Sequence, residues 1–118
     1  MKDNTLVLNS KVLAIDIINL CDNIKGKSHL TNQLFRSGTS IGANIREAQY
    51  AHSKKDFVAK LEIALKECYE AEYWLELLFE TNTIDEKKFK KYQQSAGAIR
   101  RMLIASCKTA KEKNNGII

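Results

Sequence analysis

The side chains best placed for chemistry lie in one stretch, residues 30–51, which reads LTNQLFRSGTSIGANIREAQYA. Its apolar residues recur at helical spacing, and its polar residues fall on a neighbouring face of the same helix. A ligand site on that face would be lined by Arg36, Asn44 and Glu47. No second cluster of polar groups in the sequence converges on them. We therefore favour a structural role for this face and keep the ligand site as the alternative.

The structural role is an ion pair with the next helix. If the chain turns near His52, antiparallel packing places Arg36 opposite Glu67. A second carboxylate, Glu70, follows one helical turn further on. We expect the ion pair between Arg36 and Glu67 to hold the register of the second and third helices.

Two glycines, Gly38 and Gly42, interrupt the same apolar pattern. Each costs about 1 kcal/mol relative to alanine in a helix interior, so the pair predicts the close approach of another helix. A phosphate-binding loop is not indicated, because the pair follows a helix rather than a strand and lacks the lysine that would contact phosphates. Enlarging either residue should therefore disturb packing rather than remove an activity.

A second candidate for function is the basic face of the last helix. Residues 85–118 carry nine basic and three acidic side chains, whereas residues 1–84 carry ten basic and eleven acidic ones. Five of the basic residues fall within an arc of about 100° beside the apolar stripe: Lys90, Arg100, Arg101, Lys108 and Lys111. Such a stripe is the electrostatic footprint of RNA or DNA binding, with strong salt dependence and little base readout.

Three further lysines, Lys87, Lys88 and Lys91, lie on the other flank of this helix. Antiparallel packing is expected to bring them near carboxylates that repeat every fourth residue on the third helix: Glu72, Glu76 and Glu80. That flank should then be neutralised within the subunit, which leaves the stripe from Lys90 to Lys111 as the better candidate. A simple solvated face and a surface for acidic proteins are the alternatives.

The sequence offers little for catalysis or for a metal. A di-metal site in a helical bundle would need Glu-x-x-His pairs, and neither His29 nor His52 has a glutamate three residues before it. The three cysteines, Cys21, Cys68 and Cys107, are odd in number and far apart. This favours ordinary semi-buried thiols over disulfides or zinc ligands. We therefore expect no enzyme activity, no cofactor and no metal.

The composition predicts that these surfaces lie on a bundle of helices. Proline is absent, only five glycines occur and apolar residues make up 44% of the 118, which favours an all-α protein over a β-sandwich. The helices are predicted at about residues 10–25, 30–51, 54–81 and 84–112, with a frayed tail over 113–118. Short connections make neighbouring helices antiparallel. The predicted fold is an antiparallel up-down-up-down four-helix bundle in a single domain, residues 1–118.

Capping residues and apolar stripes set the predicted register. Ser10 is the predicted N-cap of the first helix, and Ser53 and Thr83 begin capping boxes for the third and fourth. The third helix should bury Phe57, Leu61, Ala64, Cys68, Ala71, Leu75 and Leu78, and the fourth Phe89, Tyr92, Ala96, Ile99, Leu103, Ser106 and Ala110. The first helix is apolar on two sides, so it is either deeply buried or part of a subunit interface.

The sequence predicts no association with a membrane. It contains no apolar run long enough to span a bilayer. Its first ten residues, MKDNTLVLNS, carry charges and lack the apolar core of a signal peptide. We expect a cytoplasmic protein.

Three segments are specific enough to indicate a family: RSGTSIGANIREA (residues 36–48), SKKDFVAKLEIALKE (53–67) and YWLELL (73–78). Together they resemble the four-helix-bundle family named after proteins encoded in intervening sequences of bacterial 23S ribosomal RNA. The resemblance covers about residues 10–108. Its signature positions here are Arg36, Ser37, Gly38, Ser40, Gly42, Asn44, Glu47 and Glu67.

The resemblance implies a short up-and-down bundle that assembles as a homopentamer, without an established activity. One relative serves as accessory protein to the reverse transcriptase of diversity-generating retroelements, which makes a reverse transcriptase one implied kind of protein partner. A ring of five chains would repeat the net charge of +5 five times. Weak contacts linked in this way can gain roughly 100-fold or more in avidity.

We therefore expect a non-enzymatic oligomeric scaffold that associates with RNA or DNA through its basic C-terminal helix. One alternative is a protein–protein interaction module that binds no nucleic acid. Another is a small-molecule or metal site within the bundle or on a ring axis, for which the sequence identifies no ligand.

Overall fold

Four helices account for most of residues 5–115, the part of the chain that the computed structural model describes. They are α1 (Thr5–Asp22), α2 (Ser28–Ala48), α3 (Lys54–Glu80) and α4 (Glu86–Asn115). Each helix packs against the next one in the chain, and α4 closes the bundle by packing against α1. No strand occurs within residues 5–115. The prediction of an all-α, antiparallel four-helix bundle is confirmed.

The core takes one stripe from each helix. On α3 the buried residues are Val58, Leu61, Ala64, Cys68, Ala71, Leu75 and Leu78, so the predicted stripe is present except that Phe57 is only partly buried. On α4 they include Tyr92, Ala96, Ile99, Leu103, Cys107 and Ala110, whereas the predicted Phe89 is only partly buried. Cys107 replaces the predicted Ser106, because it continues the four-residue step from Leu103 along one face of the helix.

The first helix begins earlier than its capping residue predicts. Ser10 is not the N-cap: it lies inside α1, is buried, and donates a hydrogen bond to the carbonyl of Val7 at 3.1 Å. The reason is that Leu6 belongs to the same buried stripe, four residues before Ser10. Packing of this extra turn therefore decides where the helix starts, and the polar residue is accommodated by its own helix.

The connections between helices agree only in part with the sequence signals. Ser53 caps α3 as predicted, because its Oγ accepts a hydrogen bond from the Asp56 amide at 3.0 Å. At the start of α4 the cap is Asp85 instead of Thr83, since Asp85 Oδ1 accepts from the Lys88 amide at 2.8 Å. At its other end α4 continues to Asn115. The rest of the predicted tail, residues 116–118, lies outside the described residues.

The two glycines of α2 meet α1 at short range, as predicted. A methyl group at Gly38 would lie 2.5 Å from Cδ1 and 3.1 Å from Cγ2 of Ile17. At Gly42 it would lie 3.3 Å from Oγ and 3.4 Å from the carbonyl oxygen of Ser10. A methyl group at Gly38 would force Ile17 to shift, and one at Gly42 would be closer to Ser10 than ordinary van der Waals contact, so glycine permits the approach of α1 and compensates for its low helix propensity.

One side of α1 remains uncovered. Leu13, Ile17 and Leu20 are buried in the core. By contrast, the exposed apolar stripe of α1 consists of Leu8, Val12 and Ile15, whose relative exposures are 58%, 57% and 49%. Their exposure excludes the first of the two interpretations of this helix, that it is deeply buried on all sides, and leaves the second, a subunit interface. The stripe is therefore available for contact with another molecule.

Candidate nucleic-acid interface

The polar side chains of α2 donate hydrogen bonds to the backbone of their own helix. Ser37 Oγ donates to the Gln33 carbonyl at 2.9 Å, Ser40 Oγ to the Arg36 carbonyl at 2.7 Å, and Asn44 Nδ2 to the Ser40 carbonyl at 2.9 Å. Each bond reaches one turn back along the helix, a common arrangement for short polar side chains inside helices. These donors therefore do not converge on a common point where a ligand could bind.

Arg36 makes the predicted contact with α3. Its Nη1 lies 3.6 Å from Oε1 of Glu67, and its Nη2 donates to Oε2 of Glu70 at 2.6 Å. Trp74 also donates to this Glu70 oxygen, at 3.3 Å. The closer partner is thus Glu70, one turn beyond the predicted one. The Oε1 atom of Glu67 is buried and has no hydrogen-bond partner among the described residues, because 3.6 Å is too long for a hydrogen bond.

Glu47, the last member of the alternative ligand set, is engaged elsewhere. Its Oε1 lies 3.0 Å from Nζ of Lys60 on α3. Arg36 and Glu47 are eleven residues apart on α2, about 16 Å along the helix axis. The structure therefore pairs both residues with α3, at separate levels, and does not bring Arg36, Asn44 and Glu47 together.

On α4, three of the five predicted basic residues form ion pairs within the chain. Lys90 Nζ lies 3.0 Å from Glu86 Oε2 on the same helix. Arg100 Nε lies 2.9 Å from Glu72 Oε1, and Lys111 Nζ lies 2.5 Å from Glu62 Oε2, both on α3. The pKa values of Arg100 and Lys111 are raised, chiefly by hydrogen bonds to these carboxylates. The positive charge of each of these three residues is thus partly compensated by a carboxylate of the same chain.

The other two, Arg101 and Lys108, remain exposed. Neither forms an ion pair with any described residue. They are seven residues apart, which places them two turns apart on one side of α4. Of the five residues of the predicted stripe, these two therefore carry a positive charge that no carboxylate of the described chain neutralises.

The prediction for the other flank of α4 is wrong. Lys87, Lys88 and Lys91 form no ion pair with residues of the described chain, although neutralisation by α3 was expected. Glu72 pairs with Arg100 instead. The physical reason is the rotation of α4 about its own axis: at 100° per residue, Lys88 and Lys91 lie about 120° and 180° around the helix from Arg100, the residue that meets Glu72.

A pair of half-exposed tyrosines lies beside Arg100 and was missed in the sequence. Tyr69 and Tyr73, each 52% exposed, line an open cleft of about 360 Å³ between α3 and α4. The guanidinium carbon of Arg100 lies 5.9 Å from the centre of the Tyr69 ring. The signal was present: two tyrosines one turn apart, both outside the heptad positions. The carboxylates of Glu72 and Glu76 line the same cleft.

The three thiols lie within or against the core. Cys68 is fully buried and donates to the Ala96 carbonyl at 3.3 Å. Burial raises the pKa of Cys68 to about 12 and that of the half-buried Cys21 to about 11; burial also raises the pKa of Cys107. Thiols with raised pKa values are poor nucleophiles at neutral pH.

Neither a metal site nor a membrane span is found in the described part of the chain. Within residues 5–115 no group of three or more His, Cys, Asp or Glu side chains is arranged to hold a metal ion. None of the four helices, over the same residues, combines the length and the apolarity that crossing a bilayer requires. The fold and these surfaces define an antiparallel four-helix-bundle protein with a partly compensated basic face.

Comparison with known proteins identifies its family. A sequence profile described as 23S rRNA-intervening sequence protein matches residues 2–105. The crystal structure of a protein with unknown function from the S23 ribosomal protein family of Bacteroides thetaiotaomicron VPI-5482 has a TM-score of 0.84 and 41% sequence identity. That match covers 88% of this chain and 99% of the other. No curated protein matches significantly. The chain belongs to the 23S rRNA-intervening sequence protein family, as its sequence predicts.

Proposed function

We propose that this protein is a non-enzymatic, oligomeric scaffold that associates with RNA or DNA through α4. The observation that carries the proposal is the pair Arg101 and Lys108, both exposed and without an ion pair among the described residues. Lys90, Arg100 and Lys111 flank this pair, but each already contacts a carboxylate. They therefore add less to the attraction of an anionic partner.

A phosphate backbone is the partner that suits this surface. Lysine and arginine side chains that replace condensed counterions gain affinity without reading bases. The family's name refers to 23S rRNA, and the structural neighbour is assigned to an S23 ribosomal protein family. Both names support RNA as the first probe. The donors of α2, which are used within that helix, support the non-enzymatic part of the proposal.

The exposed apolar stripe of α1 supports self-association. Leu8, Val12 and Ile15 are each about half exposed, and contiguous apolar patches on a soluble protein commonly mark contact surfaces. The proposed occupant is a second copy of this chain, and a homopentamer is the assembly that the family resemblance implies. Repetition of Arg101 and Lys108 around such an assembly would convert a weak contact into a multivalent one.

The nucleic-acid proposal is tested by charge reversal. We expect the purified protein to bind a labelled structured RNA or a DNA duplex with an affinity that falls steeply as salt rises. The double variant Arg101→Glu/Lys108→Glu should lose most of this binding. The matched control, Lys25→Glu/Lys27→Glu, makes the same change in charge at the α1–α2 connection and should retain more. Absence of binding by the unaltered protein even at low salt would overturn the proposal.

Self-association is tested separately, by the mass of the protein in solution. Val12→Glu places a charge in the exposed apolar stripe of α1 and should shift the protein toward monomers. The control Asn32→Glu makes the same change in charge at an exposed residue of α2, away from the stripe. A monomeric mass for the unaltered protein would exclude the oligomer, while equal effects of both variants would exclude the stripe as the contact.

A protein partner is the second candidate, favoured by the cleft between α3 and α4. Tyr69 and Tyr73 are half exposed there beside the carboxylates of Glu72 and Glu76. Aromatic faces together with carboxylates suit a lysine or arginine side chain of another protein better than a phosphate. In this case Arg101→Glu/Lys108→Glu would leave partner binding intact, and Tyr69→Ala would weaken it.

A further inference from the structure

The positive charge of this protein is concentrated at one end of the bundle. The end that contains the α2–α3 connection comprises residues 5–13, 40–67 and 101–112, with nine basic and five acidic side chains, a net charge of +4. The opposite end, residues 14–39 and 68–100, carries eight of each and is neutral overall. An anionic partner is therefore attracted to the α2–α3 end, where Arg101 and Lys108 also lie.

An aromatic ring projects at the tip of this end. Tyr50 is 78% exposed, more than any other large apolar or aromatic side chain of the described chain. Its amide donates to the Glu47 carbonyl at 3.0 Å, which continues the turn of α2, but its ring and hydroxyl make no ring contact, cation–π contact or hydrogen bond with the described residues. Most tyrosines bury part of the ring, so a ring this exposed is available to a partner.

Unpaired cations lie close to this tyrosine along the chain. Arg46 precedes Tyr50 by one turn, and Lys54 and Lys55 are the first residues of α3. None of the three forms an ion pair with a described residue. By contrast, the nearby Lys60 is compensated by a carboxylate. The corner of the bundle thus combines a free aromatic face with three uncompensated positive charges.

We infer that this corner, Arg46, Tyr50, Lys54 and Lys55, binds single-stranded nucleic acid, with a base stacked on Tyr50. This rests on the nucleic-acid association proposed above and adds the kind of strand that is bound. Proteins hold single strands by combining cations that follow the backbone with aromatic rings on which bases stack. In a duplex the bases are already stacked and are inaccessible to the ring.

The other exposed tyrosines do not offer the same chemistry. Tyr69 and Tyr73 line a cleft with the carboxylates of Glu72 and Glu76, at the end of the bundle with no net charge. A phosphate would be repelled there, because only Arg100 faces it and Glu72 already pairs with that residue. The local charge therefore favours the Tyr50 corner over this cleft as the site that binds a phosphate backbone.

The experiment compares a labelled oligouridine of about 12 nucleotides with a duplex of the same length, using the full chain. Tyr50→Ala should weaken binding of the single strand by about 5-fold or more, the loss expected for one stacked base, and leave duplex binding unchanged. Tyr50→Phe should keep the affinity, because stacking needs the ring and not the hydroxyl. Tyr73→Ala, the matched control, should bind as the unaltered protein does.

The outcomes separate this inference from the function on which it rests. If the unaltered protein binds neither strand at low salt, both are overturned. If it binds and Tyr50→Ala binds the single strand equally well, only the inference fails. Lys54→Glu/Lys55→Glu should weaken binding of the single strand and of the duplex more than Lys25→Glu/Lys27→Glu does. An equal loss of binding in the two variants would exclude this corner as the binding site. Circular dichroism and mass in solution verify that each variant is folded and assembled.

Discussion

Arg100 reaches across from α4 to α3, where its Nε donates to Oε1 of Glu72 at 2.9 Å. Both side chains are largely shielded from solvent, with exposures of 29% and 18%. The pair links the two helices and also withdraws Arg100 from the basic face of α4. The same carboxylate thus stabilises the bundle and limits the charge that an anionic partner meets.

Replacing Glu72 by glutamine should therefore strengthen nucleic-acid binding. The change releases Arg100, and each additional phosphate contact steepens the salt dependence of binding by about 0.9 in the logarithmic slope for duplex DNA. The control is Glu76→Gln, which alters the net charge equally at a residue that forms no ion pair with the described chain. Fluorescence anisotropy across a salt series measures both, and equal slopes in the two variants would contradict the prediction.

Gly38→Ala should destabilise the bundle, although alanine is the better helix former. The new methyl group would lie 2.5 Å from Cδ1 of the buried Ile17, and forcing extra atoms into a packed core costs roughly 1–3 kcal/mol. This exceeds the gain of about 1 kcal/mol in helix propensity over most of that range. Urea unfolding followed by circular dichroism gives the change in the free energy of unfolding.

A second substitution tests the cause. Ile17→Val removes Cδ1 and by itself should cost about 1 kcal/mol. In that background, Gly38→Ala should be less destabilising than in the unaltered protein, because the closest clashing atom is gone. The two substitutions should thus be non-additive. Additive effects would indicate that contact with Ile17 is not what requires glycine at this position.

The ion pair of Arg36 and Glu70 should make stability depend on acid pH. Partial desolvation opposes ionisation of Glu70, but the hydrogen bonds from Arg36 and Trp74 outweigh it and hold the pKa of Glu70 below its usual value. A carboxyl whose pKa is lowered by folding stabilises the protein above its unfolded pKa of about 4.3. That contribution is lost as pH falls through the folded-state pKa.

Glu70→Gln measures this contribution by comparison with the unaltered protein. The loss in the free energy of unfolding should be less than about 1 kcal/mol at neutral pH, as for other partly exposed ion pairs, and should shrink toward zero in strong acid. Glu76→Gln again serves as the control, with no such pH-dependent loss. A difference that persists unchanged at low pH would assign the effect to packing instead of charge.

Periodicity was sufficient to predict most of the fold and the helix contacts. The four-three spacing on α3 gave nearly the whole buried stripe, and the antiparallel turn near His52 brought Arg36 opposite Glu67. Gly38 and Gly42 were predicted to mark a close helix approach, which they do. Each of these follows from the geometry of a single helix or of one short connection.

The partners of the charged residues could not be predicted in the same way. A helical projection gives the angle between two residues on α4, but the rotation of the whole helix depends on packing against both α1 and α3. Tyr92 illustrates this, since its hydroxyl donates to the Asp16 carbonyl of α1 at 2.9 Å. With this rotation, Glu72 meets Arg100 and not Lys91. Likewise, the sequence alone does not show which cations near Tyr50 lack an ion pair, because this depends on how the helices pack.

The start of α4 provides a test of a local signal against the structure. The capping-box spacing pointed to Thr83, whereas the amide of Lys88 is bound by Asp85, and the Thr83 hydroxyl lies 2.9 Å from that of Thr81. Asp85→Ala should therefore cost about 1 kcal/mol in the free energy of unfolding, because it removes both the hydrogen bond and a negative charge at a helix N-terminus. Asp85→Asn should retain most of the hydrogen-bond contribution, and Thr83→Ala should cost less than Asp85→Ala in the same urea titration. The opposite order would place the cap at Thr83 and restore the boundary that the sequence signal predicts.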